Sequence, residues 1–118
     1  FQFQGVPLIC LADPSADRMR ILTEVVPVDE IEEGELMILL QANFHTALDA
    51  RYAVSEGVLY ATYTHPLSPL RSDQVDSAIR QVASLQQTFG TSYSSGELYF
   101  PGSESEQSES NDGQGGIL

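Results

Sequence analysis

Apolar positions along the chain follow two rhythms, an alternation that suits strands and a spacing of three to four that suits helices. Residues 1–12 are rich in apolar and strand-favouring side chains, interrupted by Gly5 and Pro7. Glycine and proline mark bulges and strand edges, so this segment predicts either one bulged strand or two short ones. Residues 13–17, Asp-Pro-Ser-Ala-Asp, have turn composition. Over residues 18–26 Met19, Ile21, Thr23 and Val25 alternate on one face. That pattern predicts a strand that closes a hairpin and ends at Pro27.

Asp29, Glu30, Glu32 and Glu33 then precede an apolar run, and carboxylates are favoured at the positive end of a helix. Leu36, Leu39, Leu40, Asn43, Phe44 and Ala47 recur at helical spacing, which predicts a helix over 32–46. Gly34 weakens its first turn by about 1 kcal/mol relative to alanine. Residues 50–54 and 58–65 predict two strands joined by a three-residue loop, Ser55-Glu56-Gly57. Pairing across that loop sets Val54 opposite Val58 and Tyr52 opposite Tyr60, with Ala53, Leu59, Ala61 and Tyr63 on the other face. Both faces are then apolar, and a half-exposed antiparallel strand should have one polar face. The expectation is that a further element or a partner subunit covers the second face.

His65-Pro66-Leu67-Ser68-Pro69 interrupts the strand pattern. Ser72 is an expected N-cap, and Val75, Ala78, Ile79, Val82, Ala83, Gln86 and Phe89 form a helical stripe over 73–89. Gly90 suits the left-handed residue after a helix. The order β-β-α-β-β-α predicts an α+β fold, an antiparallel sheet with helices packed on a face.

Composition adds limits. The chain has 118 residues, which fits one domain, and carries five Arg and no Lys against 17 acidic residues, a formal net charge of −12. Nucleic-acid affinity rests on neutralising phosphates, so no nucleic-acid partner is expected. The same charge disfavours an anionic membrane surface, and no apolar run approaches the roughly 20 residues of a membrane span. A single cysteine, Cys10, excludes an internal disulfide and a cysteine zinc cage. Between Ile9 and Leu11 on a strand, it is expected to be a small buried apolar residue. Residues 103–116 hold no apolar side chain, so 101–118 is expected to be a disordered acidic tail after a single domain over 1–100. These features together predict an acidic, cytoplasmic domain.

Catalytic chemistry finds little support. Gly90-Thr91-Ser92-Tyr93-Ser94 lacks the final glycine of a nucleophile elbow. The acids between Asp29 and Glu35 do not alternate as a calcium loop requires. No glycine-rich phosphate cradle is present, and no carboxylate pair is set apart as a general acid and base. His45 and His65 are the only histidines, too few for a zinc site without carboxylate help. No cofactor, metal site or catalytic residue is therefore expected.

Two stretches bear a family likeness. Leu36-Met37-Ile38-Leu39-Leu40-Gln41-Ala42-Asn43 resembles a helix motif of leucines followed by asparagine. Glu56-Gly57-Val58-Leu59-Tyr60 resembles an acidic-glycine turn into a strand, followed by His65-Pro66-Leu67 and a helix starting near Ser72. Over about residues 25–90 this combination is similar to the YbjN-like proteins, which share their fold with type III secretion chaperones of the CesT/Tir-chaperone kind. The resemblance implies the order (α)-β-β-(β)-α-β-β-α, a homodimer, and an extended client segment of another protein as partner. YbjN-like proteins are described as sensory-transduction regulators or peptide-binding chaperones. The family pattern opens with a helix that has no counterpart in this sequence, and it offers no catalytic residues to carry over.

The expected function is thus a non-enzymatic protein- or peptide-binding module, with a basic client favoured by the acidic body. Tyr52, Tyr60 and Tyr63 on the hairpin are candidate self-association or client contacts, with core packing as the alternative. Asn43 lies on the apolar stripe of its helix, where a buried amide needs partners. It either ties the helix to neighbouring backbone or meets a client. Two further functions stay open: a small hydrolytic or metal-dependent enzyme using His45 or His65 with carboxylates, and a structural subunit of a larger assembly.

Overall fold

The computed structural model describes residues 1–96. The acidic stretch 101–118 and the expected domain limit at residue 100 lie outside the described residues. The first strand segment resolves into two very short strands, β1 (Gln2–Phe3) and β2 (Val6–Pro7), and a longer one, β3 (Ile9–Asp13). Gln4 and Gly5 both have positive φ, the geometry of a two-residue hairpin turn, and close β1 onto β2. This small hairpin packs on the long C-terminal helix, burying Val6 and Leu8. Thr23 Oγ1 donates to the Pro7 carbonyl at 2.6 Å and ties it to the sheet.

β3 turns through an Asp13 carboxylate that accepts from the N–H of Ser15 and of Ala16 and returns as β4 (Arg18–Pro27). A 3-10 turn (Val28–Glu30) leads into α1 (Glu33–His45). β5 (Arg51–Ser55), β6 (Val58–Pro66) and α2 (Ser72–Thr88) follow. The sheet is antiparallel with order β3-β4-β6-β5. β4 therefore crosses through α1 to the far edge, and β6 returns between them. α2 packs across β4 and β6, while α1 packs on β5 at the edge. The core lies between α2 and the sheet and contains Met19, Ile21, Leu59, Ala61, Ala78, Val82 and Leu85.

The register of the β5–β6 hairpin differs from the expectation by one residue. Glu56 and Gly57 both have positive φ, so the loop is a two-residue turn and Ser55 pairs with Val58. Tyr52 then faces Ala61, Val54 faces Leu59 and Ala53 faces Tyr60. A one-residue slip exchanges faces. Tyr52, Leu59, Ala61 and Tyr63 all point to the helices, and the other face carries Arg51, Ala53, Tyr60, Thr62 and Thr64. The second face is consequently more polar than the three-residue loop implied.

α2 begins one residue earlier than expected. Arg71 is the N-cap residue, and its N–H donates to the Gln74 side chain at 2.9 Å, while Ser72 is already helical. Gly90 has φ 90° just past the helix, in the role foreseen for it. Cys10 is exposed, not buried, because β3 is an edge strand that no helix covers.

Candidate functional site

α1 presents two apolar faces. Leu36, Leu39 and Ala42 turn inward, while Met37, Ile38, Leu40 and Phe44 are exposed, Leu40 by 65% and Phe44 by 62%. Leu40 and Phe44, expected on the inward stripe, thus point out. Met37, Leu40 and Phe44 lie on one side of the helix, spaced by three and four residues. Glu32, Glu33 and Glu35 stand at its start and His45 in its last turn. Among the described residues nothing covers this outer stripe.

The inner side of α1 is fixed by polar contacts. The Asn43 carboxamide accepts from the Tyr52 N–H at 2.8 Å and donates to the Tyr52 carbonyl at 3.0 Å. It thereby occupies the backbone groups that edge strand β5 turns away from β6, as a neighbouring strand would. Arg51 also donates to the Asn43 carbonyl. Gln81, buried on α2, accepts from the N–H groups of Asp49 and Ala50 and donates to Ser77 Oγ. The segment after α2 is bound to both helices. Thr46 donates to the Tyr93 carbonyl at 2.6 Å, Ser84 to that of Ser94, and the Tyr93 hydroxyl to Glu35 at 2.6 Å.

The three hairpin tyrosines separate. Tyr52 is in the core, its hydroxyl donating to the Leu85 carbonyl at 2.9 Å and its ring edge-on to Phe89 and Tyr93. Burial raises its pKa above the ordinary phenol value. Tyr63 is buried as well and stacks on His65, and burial raises its pKa too. Only Tyr60 stands on the open face. The Tyr93 phenol is pushed up to about 12, first by burial and then by its hydrogen bond to the Glu35 carboxylate.

On the open face a shallow groove of about 370 Å³ is floored by β4, β6 and β5, with Arg20, Leu22, Ala53, Tyr60, Thr62 and Thr64 among its walls. Ile9 and Leu11 of β3 continue the same face and are each about half exposed. Arg20 Nε donates to Thr64 Oγ1 at 3.3 Å, and the buried Thr62 hydroxyl has no partner. His45 lies edge-on to Phe44, and His65 Nδ1 is 2.7 Å from the Pro66 carbonyl. Among the described residues no three of His, Cys, Asp and Glu gather as a metal site.

No protein-family model matches the chain, and no curated protein matches it. Solved structures do. A chain in the crystal structure of the ExsC–ExsE complex superposes with a TM-score of 0.58 at 16% identity, over 75% of this chain and 70% of that one. A chain in the HopA1–SchA chaperone–effector complex gives 0.54 at 14% identity, over 68% of this chain and 63% of that one. The fold is type III secretion chaperone-like. The α+β order with its antiparallel sheet is the architecture that the sequence pattern implied. No helix among the described residues is long and apolar enough to cross a membrane.

The exposed stripe and the groove had different visibility in the sequence. Met37 and Ile38 are apolar residues off the periodic stripe, and that excess was the signal for a second face. The groove depends on hairpin register, which the loop count misassigned.

Proposed function

We propose that this chain is a non-enzymatic, chaperone-like binding module of the cytoplasm that acts as a homodimer and holds a segment of a client protein. The observation that carries this reading is the exposed stripe of Met37, Leu40 and Phe44, with Ile38 also exposed on the flank, on a helix whose other side is already packed. Full burial of a large apolar side chain is worth about 1.5–3 kcal/mol, and three such groups on one side of a helix are a strong association surface.

A second copy of the chain suits the stripe. A two-fold axis sets one patch against itself, so the stripe must be self-complementary. Antiparallel α1 helices lay the acidic first turn of one copy beside the His45 end of the other, so the two acidic turns stay apart. Parallel helices would set Glu32, Glu33 and Glu35 of the two copies together. Leu40, near the middle of the stripe, then meets its own counterpart.

The type III secretion chaperone-like fold supports a protein client, since one structure of this fold is a chaperone–effector complex. Kinship with YbjN-like proteins belongs to the same reading and rests on the Leu36–Asn43 motif. Sedimentation velocity of the full chain tests the proposal. A dimer that Leu40→Glu converts to a folded monomer supports it. A chain that stays monomeric at high concentration contradicts it.

A further inference from the structure

The groove on the open face of the sheet has a sign opposite to that of the chain as a whole. The chain carries 17 acidic residues and five Arg, yet the groove on β4, β6 and β5 has Arg20 as its one charged wall and no carboxylate. Arg20 is exposed, and among the described residues no acidic side chain pairs with it. Its one hydrogen bond is to Thr64. Beside it the Thr62 hydroxyl is buried without a partner. A buried hydroxyl with no bond is an unmet cost. Around these polar groups lie Leu22 and Tyr60, and Ile9 continues the apolar surface to the far strand.

We propose that this groove binds an extended client segment in which a glutamate or aspartate is flanked by apolar side chains, with Arg20 as the carboxylate anchor. The inference rests on the binding-module reading and names the chemistry of its client. A guanidinium presents several donors in a fixed fork that matches a carboxylate, and Arg20 keeps its terminal nitrogens free of any acidic neighbour. The row Ile9–Leu22–Thr62–Arg51 crosses three inter-strand gaps, about 14 Å in all. A strip of that length fits roughly four extended residues better than a compact small molecule. The client is thus acidic where it meets the sheet, opposite to the basic partner that net charge alone suggests.

The test is a titration of the full-length, 15N-labelled chain with three capped peptides of alternating valine and threonine that differ at one central position, glutamate, glutamine or lysine. The glutamate peptide is expected to bind about tenfold or more tightly than the glutamine peptide, as a charge-assisted bond implies. Its shifts should centre on Arg20, Leu22 and Thr62 and weaken with salt. Arg20→Glu should transfer the preference to the lysine peptide. Equal binding of the glutamate and glutamine peptides, shifts confined to α1, or no binding at millimolar peptide overturns the proposal. A dimer that Leu40→Glu abolishes would leave the binding-module reading standing in each of those cases.

Discussion

α1 and α2 are built from different balances of side chain, and the contrast says where the molecule ends. α2 buries Ala78, Gln81, Val82, Ala83 and Leu85 and turns Asp73, Asp76 and Gln87 to solvent. Its outward ions, such as Arg80 and Asp76 at 3.4 Å, are exposed pairs of the kind that contribute little. α1 buries Leu39 and Ala42 yet exposes Met37, Leu40 and Phe44. One helix is completed by the monomer and the other is half used. A helix apolar on both sides belongs inside something, and among the described residues nothing covers the second side of α1.

Core truncation gives the largest expected effect. Leu85→Ala on α2 should cost about 2–5 kcal/mol in denaturant unfolding, whereas Leu40→Ala on α1 should cost the monomer within about 0.5 kcal/mol. Equal losses would erase the distinction between the helices.

Next come the buried amides. Gln81→Leu strands the N–H groups of Asp49 and Ala50, and Asn43→Leu strands both backbone groups of Tyr52. Each should cost roughly 1–3 kcal/mol, read from the same unfolding curves. A neutral Asn43→Leu would mean that α1 is held on β5 by its leucines alone.

Alkaline pH has a smaller, local effect. The Tyr93 pKa rises from 10.0 to about 12 in the folded chain, and that of Tyr52 is raised also. The native state therefore holds these protons more tightly than the unfolded one. The associated stability is complete below pH 10 and is lost as pH rises through the folded values. Absorbance at 295 nm should show these two phenols still neutral near pH 11, about one unit above the ordinary value. Ionisation of every phenol near pH 10 would contradict the Tyr93–Glu35 and Tyr52–Leu85 hydrogen bonds.

Much of this architecture was legible in the sequence because it rests on strong local patterns. The alternation through Met19, Ile21 and Thr23 marks β4, and the α2 stripe ends at a glycine that only a left-handed residue position requires. The errors arise where a single residue decides. Two positive-φ residues, Glu56 and Gly57, shorten the hairpin loop by one and move Tyr60 to the opposite face from Tyr52. Cys10 reads as apolar and strand-like, but composition does not say that β3 lies at an edge. Leu40 and Phe44 fit the same helical spacing as Leu36 and Leu39, and spacing alone could not divide an all-apolar helix into an inner and an outer side. Gln81 drew no notice because its value is tertiary, two bonds to a loop 31 and 32 residues away.

Disulfide trapping compares the two helices most directly. In a Cys10→Ser background, a cysteine is introduced by Leu40→Cys on the outer stripe of α1 or by Asp76→Cys on the outer face of α2. Mild oxidation should give a covalent dimer from the Leu40→Cys chain and leave the Asp76→Cys chain monomeric on a denaturing gel. Equal trapping of both, or none from Leu40→Cys, would contradict the assignment of α1 as the face that a second copy completes.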